Sequence, residues 1–247
     1  MNPIRGYAED RLGNHPVLGR VPHGLRLEVW WRIALSRKCR YVYVRIPKAA
    51  NSTVSKTLAL YTWPERAKWF AAHDAIWAKR RFGRFGWNTT PETLLNDYFT
   101  FSFFRNPYSR VLSAYLQKMA KPKYRNMARA ANVGEVNEQG SRAFVSWLED
   151  GNLDANIHWS PQTSICPLPV ESLDFIGRVE HLDEDLATLM NKLFPDQPYD
   201  RPATRERDRQ HAVSKLQAFY EGDLVARVRD LYRQDFEVLG YDEALPS

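Results

Sequence analysis

An α/β fold with a central parallel sheet is what three features of the sequence predict. Three short runs rich in β-branched and aromatic residues, "YVYVRI" (41–46), "FTFSFFR" (99–105) and "LDFIGRVE" (173–180), read as strands. Each is followed by a loop and then a helical pattern. Further helical stretches separate them, as crossovers between parallel strands require. In such sheets ligands collect beyond the carboxyl ends of the strands. An α+β arrangement is the alternative.

Residues 1–25 are polar and rich in glycine and proline, which predicts a loosely packed arm ahead of one domain over 26–247. The first strand leads into "NSTVSKTLALYTW", which has helical character. "AKWFAAHDAIWAKRR" (67–81) is predicted to be helical in part. In "TPETLLNDY" (90–98), Thr90 is a cap, Pro91 starts the first turn and an acid follows, a helix start by type. After the second strand, Asn106 and Pro107 open a helix over 106–120 in the same way. Residues 121–172 form a long insertion, expected near the acceptor side, with a helix at 141–150. A helix "LDEDLATLMNKLF" follows the third strand. One amphipathic helix over 223–241 closes the chain.

The 247 residues are 44% hydrophobic, enough for a sizeable core. The net charge of +6, 35 basic against 29 acidic residues, suits anionic ligands without demanding them. Two cysteines, Cys39 and Cys166, exclude a disulfide framework and a CxxC metal site, and leave one pairing open. No apolar run reaches the roughly 18 residues of a membrane span, and the first residues lack the apolar centre of a signal peptide. A cytoplasmic protein is expected, or one in the Golgi lumen if a membrane anchor precedes these residues. Peripheral membrane contact is compatible with the sequence; the oligomeric state is not indicated.

The segment "RIPKAANSTVSKTL" joins strand to helix as phosphate-binding loops do, but without a glycine. A nucleotidase loop would need GxxxxGK[ST], with lysine next to the Ser/Thr. Here Lys48 comes first. Ala49 and Ala50 are small enough for close backbone approach, and Asn51, Ser52 and Thr53 sit at a helix N-terminus, where amides and dipole favour an anion. An ordinary capped helix with a solvent lysine explains this loop equally well. At the second junction, "FRNPYSRVLSAY", Arg105 ends a strand and Ser113 lies eight residues on. A guanidinium and a hydroxyl there can share one phosphate. The plainer alternative is that Arg110 is a solvated helix arginine and Ser113 a small packing residue.

Together the two junctions resemble sulfotransferases: the first their 5′-phosphosulfate loop, the second their 3′-phosphate segment. "NIHWSPQTSIC" (156–166), "LDFIGRVEHLDEDL" (173–186) and "LYRQDFEVLGY" resemble the carbohydrate group that includes the chondroitin 4-O- and heparan sulfate 2-O-sulfotransferases. The resemblance implies a P-loop-kinase-like three-layer fold, 3′-phosphoadenosine-5′-phosphosulfate (PAPS) as donor, PAP as product and no metal. It implies that a sulfuryl group passes in line to a carbohydrate hydroxyl. Lys48 matches the lysine at the leaving oxygen, and Arg45, Pro47, Ala49, Ala50, Asn51, Ser52 and Thr53 surround it. Arg105 and Ser113 match the 3′-phosphate pair. Arg178 is a further candidate nucleotide contact, with an ion pair to Glu180 or Asp183 the plainer account.

The acceptor hydroxyl needs a base. His73 and His158 are the candidates, His73 slightly ahead because the heparan sulfate group carries a histidine in that region; a carboxylate is the fallback. His15, His23, His181 and His211 read as solvated or structural. Basic residues at 78–84 and 121–125, interleaved with Trp77, Phe82, Phe85, Trp87 and Tyr124, form a possible surface for an anionic glycan, or simply a solvated face. The rivals are a magnesium-dependent nucleotide kinase and a basic nucleic-acid-binding module; no nucleic-acid motif is present, so no nucleic acid is expected.

Overall fold

The computed structural model describes residues 12–200 and 216–246. Residues 1–11 of the expected arm and His211 lie outside them. In chain order the elements are α1 (Arg26–Arg32), β1 (Ile33–Ser36), β2 (Tyr41–Val44), α2 (Asn51–Thr62), α3 (Ala67–Ala72), α4 (Ala75–Arg81), α5 (Pro91–Asp97) and β3 (Phe99–Phe104). Then come α6 (Pro107–Met119), α7 (Arg125–Ala130), α8 (Glu138–Trp147), β4 (Phe175–Arg178), α9 (Leu182–Leu193), α10 (Leu224–Leu231) and α11 (Arg233–Leu239). They fall into two compact units, Met1–Phe104 with Ser164–Pro202, and Arg105–Thr163 with Ala203–Ser247.

The first unit holds a four-stranded sheet in the order β1-β2-β3-β4. β2, β3 and β4 are parallel, with Val44 opposite Ser102 and Phe104 opposite Arg178. The expected sheet is thus largely parallel but not wholly so. β1, absent from the sequence reading, runs antiparallel to β2, Ile33 facing Val44 and Ser36 facing Tyr41. Only four residues, 37–40, join the two strands, and a link that short permits no crossover. Arg40 turns it with a positive φ of 53°.

β2 and β3 are buried along almost their whole length and lined with aromatic rings. Tyr43 stacks on Phe101 at 5.1 Å, their rings nearly parallel. Val54, Leu58 and Phe70 join this core, as do Leu186 and Leu189 of α9. At Gly177 of β4 a Cβ would come within 2.4 Å of the Phe103 ring, so glycine is what lets β4 lie against β3 there. Residues 12–25 differ from the loose arm expected of them: Leu12, Val17, Leu18, Val21 and Leu25 are buried. His15 explains part of this. Its Nε2 donates to Gly86 O at 3.1 Å while Nδ1 accepts from Val17 N. Cys39 is half-buried, Cys166 is buried, and neither is in a disulfide, so the two do not pair here.

The second unit is organised around a buried carboxylate. Asp235 of α11 accepts from Gln162 N at 2.8 Å, Thr163 N at 2.9 Å and Thr163 Oγ1 at 2.8 Å. Arg110 of α6 is equally buried and donates to Ser160 O at 2.7 Å and Ile157 O at 3.2 Å. It is therefore neither a solvated helix arginine nor a surface charge. Burial pulls its pKa down, and Asp235 and Tyr232 oppose that. The Tyr232 hydroxyl donates to Trp159 O, and the Trp159 indole donates to Asn152 O at 3.1 Å. The run 156–163 is thus bonded from α6, α10–α11 and itself. Tyr232 also divides the predicted 223–241 helix: α10 and α11 meet there, at φ −112° and ψ 21°. A continuous helical period gives no sign of such a break.

Removing the Asp235 carboxylate strands several buried donors at once. Asp235→Ala is expected to lower unfolding stability by about 3 kcal/mol or more, since each orphaned buried donor costs roughly 1–3 kcal/mol. Urea titration followed by tryptophan fluorescence measures it. A loss under about 1 kcal/mol, no more than an ordinary hydrogen bond contributes, contradicts this account.

Candidate active site

The glycine-free loop after β2 bends as glycine-rich loops do. Lys48 has φ 70° and Ala50 φ 51°, both left-handed. A residue with a Cβ loses roughly 1–2 kcal/mol in that conformation. Its surroundings hold the bend. Arg45, only 6% exposed, donates from Nε to Arg32 O at 2.7 Å and from Nη2 to Trp31 O at 2.5 Å. The Tyr43 hydroxyl donates to Asn51 Oδ1 at 3.2 Å. Pro47 and Ala49 are buried, and Ala49 N donates to Ile46 O at 3.3 Å.

The bend delivers α2 with an uncapped start. Ala50 is the N-cap and makes no side-chain capping bond. The amides of that turn have no partner inside the helix, and the dipole adds partial positive charge. Lys48 and Thr53 are half-buried beside it and Ser52 is exposed. Such a start attracts an anion by geometry alone.

Two residues expected at the phosphosulfate have their side chains bonded elsewhere. The Arg45 guanidinium is bonded to the Trp31 and Arg32 carbonyls, and burial first, then Arg84 and Arg32, lowers its pKa to about 10. The Asn51 oxygen is occupied by Tyr43, so its amide is the group left for a ligand. In exchange the structure supplies a lysine that sequence reasoning assigned to the basic surface. Lys79 of α4 donates from Nζ to Ser52 Oγ at 2.9 Å. Twenty-seven residues separate the two, and no motif links them.

β2, β3 and β4 end on one edge of the sheet. Arg178 closes β4, its backbone N–H donating to Asp185 Oδ2 at 2.6 Å. Arg105 follows β3 and opens the second unit. The Gln162 side chain takes both its backbone groups, accepting from Arg105 N at 3.0 Å and donating to Arg105 O at 2.7 Å. Gln162 thereby acts as one rung of a strand, and Asp235 holds Gln162. Ser113, half-buried, lies two turns into α6.

The candidate bases sit in different units. His73 ends α3 in the first, exposed, stacked on Trp69 at 4.2 Å, with Nδ1 2.8 Å from Trp69 O. A carbonyl can only accept, so Nδ1 carries the proton and Nε2 holds the lone pair in the neutral ring. His158, in the second, has Nδ1 at 2.6 Å from Asn156 Oδ1, which also accepts from His158 N. It is part-buried in the bonded run. His181 is exposed, 3.8 Å from Glu184.

The proposed glycan surface is narrower than the sequence suggested. Phe82, Phe85 and Tyr124 are buried. Arg84 donates to the carbonyls of Lys79, Phe82 and Gly83, and burial lowers its pKa. Trp69, Trp77 and Trp87 remain exposed, and the Arg80 guanidinium lies 5.8 Å over the Trp77 ring. Among the described residues no helix is long and apolar enough to cross a membrane.

Comparison with known proteins identifies the family of the chain. The sulfotransferase family profile, Sulfotransfer_2, matches residues 31–242. Human carbohydrate sulfotransferase 14 is 26% identical over 249 residues, covering 90% of this chain and 63% of the relative. Mouse carbohydrate sulfotransferase 12 is 29% identical over 189 residues, covering 66% of this chain and 44% of the relative. Human carbohydrate sulfotransferase 9 is 25% identical over 237 residues, covering 85% and 52%. The chain thus spans less than two thirds of the length of these relatives. No solved structure matches it. With the profile extending from α1 through α11, the chain belongs to the sulfotransferase family.

Proposed function

We propose that this protein transfers a sulfuryl group from PAPS to a hydroxyl of a carbohydrate acceptor by in-line displacement. The observation that carries the reading is the left-handed backbone at Lys48 and Ala50, which opens the first turn of α2 to an anion in a chain of this family. The names of the relatives support a carbohydrate acceptor.

The acceptor oxygen forms a bond to sulfur as the bond from sulfur to the 5′-phosphate oxygen breaks, and the acceptor proton passes to a base. Negative charge grows on the departing oxygen, and catalysis rests on cations and amides arranged for it beforehand. In this reading the α2 amides and Thr53 hold the phosphosulfate and Lys48 neutralises the leaving oxygen. Arg105 and Ser113 hold the 3′-phosphate, which distinguishes PAP from ADP. Nε2 of His73 takes the proton. Trp77 and Arg80 offer the acceptor a ring face and a cation. Arg178 is kept as a candidate nucleotide contact.

Calorimetry with PAP and ADP tests the donor. Arg105→Ala is expected to weaken PAP by about 2 kcal/mol, the scale of a lost charged hydrogen bond, and to leave ADP nearly unchanged. Equal losses remove the 3′-phosphate assignment. Preference for ADP with magnesium favours a kinase, and salt-sensitive oligonucleotide binding indifferent to the 3′-phosphate favours a nucleic-acid module.

Lys48→Ala is expected to cut kcat by about 100-fold or more at saturating PAPS, the scale for one preorganised donor. PAP affinity changes less. Near-normal turnover in this variant removes Lys48 from the leaving oxygen.

For the base, His73→Ala is expected to abolish most turnover with PAP affinity intact. His158→Ala is expected to lower the melting temperature, because the Asn156 bond is lost. If the stably folded His158 variant alone is inactive, His158 is the base; if both variants turn over, a carboxylate takes that role.

A further inference from the structure

Lys79 does more than add charge to a helix face. Its ammonium, 2.9 Å from Ser52 Oγ, has three donors and no acceptor, so the serine oxygen must accept in this bond. The single hydroxyl hydrogen of Ser52 is then left for another acceptor. Ser52 is the second residue of α2 and is exposed, at the turn whose amides lack helical partners. An ammonium also makes the hydroxyl it bonds a stronger donor.

The surroundings of Lys79 are short of negative charge. Burial lowers its pKa most, then Arg45 from the end of β2 and Arg32 from α1, with the Asp74 carboxylate at the start of α4 opposing them least. A cation crowded by cations beside an uncapped helix start gains from an anion that arrives there.

We propose that Lys79 is a positioning residue of the donor site, fixing the Ser52 hydroxyl as a donor to a 5′-phosphate oxygen of PAPS. This rests on the PAPS reading above. It assigns to α4 a part in binding the 5′-phosphosulfate, alongside the 47–53 loop.

The test is calorimetry of PAP and of adenosine 3′-monophosphate, which lacks the 5′-phosphate, on wild-type protein, Lys79→Met, Lys79→Arg, Ser52→Ala and the Lys79→Met/Ser52→Ala double variant. Lys79→Met is expected to weaken PAP by about tenfold and adenosine 3′-monophosphate by less than about twofold. Lys79→Arg is expected to stay within about threefold of wild type, since a guanidinium can also donate to Ser52. In the Ser52→Ala background, Lys79→Met is expected to cost less than about twofold more, as residues acting through one bond are not additive. Unchanged PAP affinity in Lys79→Met overturns the proposal. So does an equal loss for both nucleotides, which marks a general structural role, or a full loss in the Ser52→Ala background, which marks an action not passing through Ser52. Wild-type protein that binds PAP no better than adenosine 3′-monophosphate overturns the donor reading and this inference with it; tight PAP binding indifferent to Lys79 overturns this inference alone.

Discussion

Two left-handed residues without glycine, Lys48 and Ala50, set the terms for the first unit. A bend of this kind is unfavourable by itself and persists only where the surroundings over-determine it. Arg45 supplies much of that determination. Its guanidinium bonds to the carbonyls where α1 passes into β1, and so joins the end of β2 to the entry of its antiparallel neighbour. Tyr43, stacked on Phe101, bonds to the first residue of α2. The uncapped start of α2 follows from this enforced turn. Polar residues that look like ligands in the sequence are in part the braces of that turn.

The second unit uses a different device for a comparable end. There a carboxylate and a guanidinium, both buried, satisfy backbone groups of a run that has no regular structure of its own. Buried charges are costly unless fully bonded. Asp235 meets two amides and a hydroxyl, and Arg110 meets two carbonyls. The unit thereby holds an irregular run in one conformation.

Three of the four strands are legible in the sequence because β-branched and aromatic residues concentrate in them; β2 and β3 are almost wholly buried, while β4 leaves Ile176 exposed. β1 is not legible, since "IALS" is four residues long, wholly buried and directly behind a helix. The helix starts at Thr90 and Asn106 are legible from side-chain chemistry, and both side chains do accept first-turn amides. The phosphate loop is legible from residue sizes, but the backbone conformation that makes it unusual is not. Arg110 misleads because a helix arginine looks solvated until the carbonyls of 157 and 160 are known. Lys79 misleads because its partner is set by the packing of α4 on α2, which no local pattern encodes. In the motif "HWSPQT", Gln162 owes its place to backbone geometry, matching the Arg105 peptide as a strand would.

The bond between Gln162 and Arg105 has a history in time as well as a place. Gln162 stands 57 residues after Arg105, and Asp235 a further 73 after Gln162. A ribosome adding about 5–20 residues per second makes Arg105 long before the residue that secures its partner. For several seconds the nascent chain carries the first half of the anchor without the last. The helix α11 is thus a closing latch: synthesis must pass residue 235 before Gln162, and through it the backbone at Arg105, is fully secured.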